Sequence, residues 1–77
     1  MAKFNDTPLN QRMVIALMQD CHANIQKAEC NIYAFLEKPV GVGDHPNIMQ
    51  TIQEQLDIVS KHKDRLSVLA EYFYEED

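Results

Sequence analysis

Residues 38–46 read Lys-Pro-Val-Gly-Val-Gly-Asp-His-Pro. The stretch holds both glycines of the chain and two of its three prolines, Pro8 being the third. Pro39 lacks an amide donor and restricts Lys38, so a helix arriving from the N-terminal side stops at about Glu37 or Lys38. Asp44 or His45 caps a second helix that opens at Pro46. Thr7-Pro8 repeats this start signal before the first segment. No Gly or Pro interrupts residues 9–38 or 47–77. Two helices are therefore predicted, at about 7–38 and 46–74. The link between them is about seven residues, and so short a connection folds them back as an antiparallel hairpin. The expected fold class is all-α, a two-helix hairpin forming one domain over residues 1–77.

Periodicity on either side of the link agrees. Met18, Ile25 and Ile32 recur every seven residues, and Val14, Cys21, Ala28 and Phe35 form a second series offset by four. Together they make an unbroken apolar seam of 3-4 spacing, which belongs to a helix and not to a strand. In the second segment Ile52, Val59, Leu66 and Phe73 form one strict heptad series. Ile48, Met49, Leu56, Leu69 and Ala70 are expected to fill out its side. A strict heptad predicts packing at about 20° with left-handed supercoiling. Antiparallel pairing matches residues whose numbers add to about 84, which sets Ile32 near Ile52, Ile25 near Val59 and Met18 near Leu66.

Two helices make a ribbon with one edge uncovered. Ile15, Leu17, Leu36, Ile58, Val68, Tyr33 and Tyr72 lie beside or off the seams, more apolar surface than a lone hairpin covers. The expected solution is a homodimer forming a four-helix bundle. Its interface is expected to consist of Met18, Ile25, Ile32, Ile52, Val59 and Leu66. A monomeric hairpin and a hetero-complex are the alternatives. Tyr33, Tyr72 and Tyr74 are candidate anchors for a partner, since Tyr is enriched at protein contacts.

Composition narrows the function classes. Twelve acidic against seven basic residues give a net charge of −5, unfavourable for phosphate contacts, so no nucleic-acid partner is expected. No apolar run approaches the roughly 18 residues of a membrane span, and the first residues lack a secretory pattern. Cys21 and Cys30 stand nine residues apart, which on a helix puts them on opposite faces and beyond disulfide reach. Two free thiols predict a cytoplasmic protein.

The polar residues inside the seams are the candidates for chemistry. Gln55 and His62 fall in the series Ile48, Gln55, His62, Leu69, and Asn24 and Asn31 flank the seam of the first helix. The antiparallel register sets His62 level with Asp20, Cys21 and His22, all metal-ligand types in a place where bundles build such sites. That metal- or ligand-binding bundle is the alternative function. Against it, Cys21 and His22 diverge by about 100° on a helix, and no Glu-x-x-His, His-x-x-x-His or Cys-x-x-Cys spacing occurs. Bland roles compete throughout: Cys21 as a small apolar filler, His22 as a solvated residue, and His62 as a hydrogen-bonded bundle histidine. Gly41-Val42-Gly43-Asp44 lacks the strand, the Lys and the Ser/Thr of a phosphate loop. Two long helices supply no nucleophile elbow or cleft, so no enzyme and no cofactor are expected.

Residues 43–73, GDHPNIMQTIQEQLDIVSKHKDRLSVLAEYF, resemble a segment of small, mostly uncharacterised proteins of tailed phages, those of the marine T4-like group that infect cyanobacteria. The resemblance rests on Asp44-His45-Pro46 opening the helix, the one-turn spacing of Ile48 and Ile52, and Leu66 to Phe73 closing it. It covers less than half the chain. It implies a helical hairpin in a host-cell cytoplasm and brings no activity or site residues. The expected function is a non-enzymatic protein–protein interaction module: an adaptor, an inhibitor or an assembly factor.

Overall fold

A computed structural model of the chain describes residues 7–37 and 47–75. Helix α1 runs Leu9–Glu37 and helix α2 runs Ile48–Val68, continued by a π turn over Leu69–Phe73. The described residues contain no strand. Helix α1 stops at Glu37, directly before the Lys38-Pro39 pair. It begins one residue later than the Thr7 cap implies, because the Pro8 carbonyl accepts the first i→i−4 bond, from Arg12 N–H at 3.0 Å. Helix α2 starts at Asn47, whose carbonyl accepts from Thr51 N–H at 2.9 Å and from the Thr51 hydroxyl at 3.2 Å. The cap roles assigned to Asp44 and His45 lie outside the described residues, as do Gly41 and Gly43.

The two helices pack antiparallel. Asn31 Nδ2 donates to Gln55 Oε1 at 3.1 Å, and Gln11 Nε2 donates to the Phe73 carbonyl at 3.0 Å. The paired numbers add to 86 and 84, which is the register the heptads predict. The amide pair of Asn31 and Gln55 is exposed and lies beside the seam, with Gln55 on the seam line and Asn31 flanking it. The seam of α1 follows the 3-4 pattern: Val14, Met18, Ile25, Ile32 and Phe35 are half-buried, Cys21 and Ala28 fully so. Ala28 is small enough to let the backbones approach at the middle of the hairpin.

On α2 the most enclosed line is Ile48, Gln55, His62 and Leu69, with His62 at its centre. Met49, Leu56 and Ala70 stand on the expected side of α2 but are exposed there, and Phe73, expected to continue the core series, is exposed as well. For the first three the reason is geometric. They stand a further step around the helix from Ile52 and Val59, and a single partner helix covers only one narrow stripe. Phe73 fails for a different reason. Tyr74 N–H bonds to the Leu69 carbonyl at 2.9 Å, an i→i−5 turn. That turn takes one residue more than an α turn, so the heptad step from Leu66 no longer lands on the seam.

Gln11 holds the open end. Its side-chain amide donates to Phe73 O and accepts from Glu75 N–H at 2.9 Å, gripping the C-terminal segment as a strand edge would. Tyr74 is already extended there, at φ −86° and ψ 126°. Gln11→Ala removes both bonds at once. The expected cost is about 1 kcal/mol, because the freed groups regain water at this partly open end. Faster hydrogen exchange of the Glu75 amide, with the exchange of mid-hairpin amides nearly unchanged, is the measurement that checks it.

Candidate functional site

Heptad-related residues keep to one line of a helix, so the ribbon has two separable sides. On one side of the buried seam run Met18, Ile25 and Ile32 of α1, with Ile15 and Leu36 a step further out. Facing them across the same side run Ile52, Val59 and Leu66 of α2, with Met49, Leu56 and Ala70 further out. A groove of about 260 Å³ lies where the two sets meet, lined by Glu29, Ile32, Tyr33, Leu36, Leu56 and Val59. Its lining establishes that both sets share one side. The other side carries Asp20, Asn24, Lys27, Asn31, Thr51, Glu54 and Arg65 along its middle, with Ile58 half-buried among them and Met13, Leu17, Val68 and Tyr72 exposed toward the open end.

All six residues expected at an oligomer interface lie on the apolar side, and all six are half-buried. Leu56 remains 49 % exposed and Leu36 58 %. The polar members of this side are few. His22 and Lys63 stand at one level, Glu29 one heptad along α1 toward the tip, and all three are exposed.

The three tyrosines do not form one surface. Tyr33 lines the groove near the tip of the hairpin. Tyr72 belongs to the π turn at the opposite end, and Tyr74 follows it in extended backbone. The basic residues also divide: Lys61 and Arg65 fall on the polar side and Lys63 on the apolar one.

The metal-ligand candidates separate in the same way. Cys21 is 1 % exposed and His62 7 %, both inside the seam. Asp20 and His22 are exposed on opposite sides of α1. Among the described residues no three His, Cys, Asp or Glu side chains group so as to hold a metal ion. His62 Nδ1 is buried without a hydrogen-bond partner. Both cysteines are free, Cys30 on the outer surface of α1. No described helix is long and apolar enough to cross a membrane.

Sequence reading passed over Gln11, although it stands seven residues before Met18 and continues that heptad line. A polar residue on an apolar line signals a bonded partner. The partner itself is 62 residues away and leaves no local trace.

Comparison with protein-family models, with curated proteins and with solved structures finds no match.

Proposed function

We propose that this chain is a non-enzymatic protein–protein interaction module whose working surface is the apolar side of the hairpin, and that two copies cover that side mutually as a four-helix bundle. The observation that carries the reading is the half-burial of Met18, Ile25, Ile32, Ile52, Val59 and Leu66 on one side. Such a line is a bundle core with half its walls missing.

The size of the chain supports pairing. It exposes 6263 Å², against roughly 4,800 Å² for a compact monomer of its mass. Its radius of gyration is 17.0 Å, against roughly 11–12 Å for a compact domain of this length. Small chains of this kind gain stability by association.

The test is a native mass spectrum of the untagged, reduced protein over a tenfold range of concentration. A metal-free dimer is the expected species. A monomer throughout would overturn the reading, and a stoichiometric metal would move attention to His62.

A further inference from the structure

We infer that the two copies lie with their hairpin tips at opposite ends, crossing at the level of Ile25 and Val59, so that Ile15 and Met18 of each copy seat in the tip groove of the other. This rests on the pairing proposed above and names how the second copy sits.

Two face-to-face hairpins have two twofold solutions. With tips at the same end, α1 lies over α2 of the second copy, level with level. His22 then meets Lys63, which offers no acceptor, and the Glu29 carboxylate is pressed on Leu56. The second contact is unfavourable, because it buries a carboxylate on an apolar side chain, while the first offers the imidazole only a donor. With tips opposed, α1 lies over α1 and α2 over α2. The levels of residues 22 and 29 exchange about their midpoint, so each His22 ring N–H reaches a Glu29 carboxylate, twice per dimer. Lys63 then lies over Leu56, with its ammonium free to reach the rim.

The same midpoint suits the apolar residues. Ile15 and Leu36 bracket it evenly along α1, as do Ala70 and Met49 along α2. Opposed tips therefore put Ile15 over Leu36 and the small Ala70 over the large Met49. The groove lined by Ile32, Tyr33, Leu36 and Leu56 spans the levels that receive Ile15 and Met18 of the second copy. An isoleucine and a methionine side chain suit its volume of about 260 Å³.

Two measurements test this. Ala16 and Ala23 are exposed and heptad-related on the outer surface of α1. Ala16→Cys and Ala23→Cys are each spin-labelled in a Cys30→Ser background, and the distance between copies is read by pulsed electron resonance. At a rise of about 1.5 Å per residue, opposed tips offset the two Ala16 sites by about 29 Å along the axis and the Ala23 sites by about 8 Å. The distance at Ala16 is expected to exceed that at Ala23 by about 10 Å. Equal distances would overturn the opposed arrangement while keeping the dimer. A monomer by native mass would overturn both readings together. Second, Leu56→Glu should dimerise about tenfold more tightly than Leu56→Lys, because position 56 faces Lys63 of the second copy. Tips at the same end would reverse that order, because position 56 would then face Glu29.

Discussion

A chain carrying Ile25→Asp together with Val59→Asp will be monomeric at concentrations where the parent chain pairs. Both residues are half-buried at the middle of the apolar side, and in the proposed dimer each copy would bring both to the shared interface. Four carboxylates would enter an apolar layer where, among the described residues, Lys63, one turn from position 59, is the one cation near enough on that side to offset them. An uncompensated buried carboxylate costs several kcal/mol. Even about 4 kcal/mol in all weakens association roughly a thousandfold. Sedimentation or light scattering reads the result directly. The same residues border the seam within each hairpin, so some loss of helicity accompanies the loss of pairing. Leu56→Lys separates the two effects. Leu56 is about half exposed in the single chain and stands a step outside the seam. That variant should keep the parent helicity by circular dichroism while pairing more weakly. A double variant that stays folded and dimeric would remove Ile25 and Val59 from the interface.

His62→Leu should raise stability, although it replaces the most enclosed residue of α2. The imidazole is 7 % exposed and its Nδ1 lacks a hydrogen-bond partner. A buried polar atom without a partner costs about 1–3 kcal/mol. Leucine fills similar space, has no polar atom, and continues the line of Ile48 and Leu69. For a chain of this size 1 kcal/mol moves Tm by about 4–8 °C. A rise of about 5–15 °C is expected. The melts must be compared at equal protein concentration, because pairing itself raises Tm with concentration. His62→Ala serves as the contrast: it removes the polar atom but leaves a cavity, so it should gain little or lose stability. A fall in Tm for His62→Leu would mean that His62 is bonded in the paired protein and holds a structural position there.

The persistence of a polar histidine on that line invites comparison with Asn31 and Gln55. Those two bond to each other at 3.1 Å in an exposed position beside the seam. His62 has no such counterpart on α1. At its level α1 presents Cys21, a small buried thiol, while Asp20 and His22 turn away to opposite sides. Adjacency in register therefore did not become convergence in space. Residues one apart on a helix diverge by about 100°, and no packing of a straight helix reverses that.

How much was legible before the fold was known follows from the range of each interaction. Lys38-Pro39 stops a helix through its own missing donor and steric clash, and α1 ends at Glu37. The alternation of Val14, Met18, Cys21, Ile25, Ala28, Ile32 and Phe35 needs only a helical period to define one stripe. The register of about 84 needs only a short link and a constant rise. These are local rules, and the sequence by itself determined two helices, their antiparallel sense and the seam of α1. Which stripe of α2 turns inward was not local. Both the Ile52-Val59-Leu66 line and the Gln55-His62-Leu69 line satisfy a heptad, and only contact with α1 selected the second as the centre. That choice turned the first line into the half-covered edge of a face and left Leu56 and Met49 exposed. The grip of Gln11 on Phe73 and Glu75 likewise joins residues from opposite ends of the chain. Periodicity reports which residues share a side of one helix; only the packing of two helices decides which side is spent inside the chain and which remains for a partner.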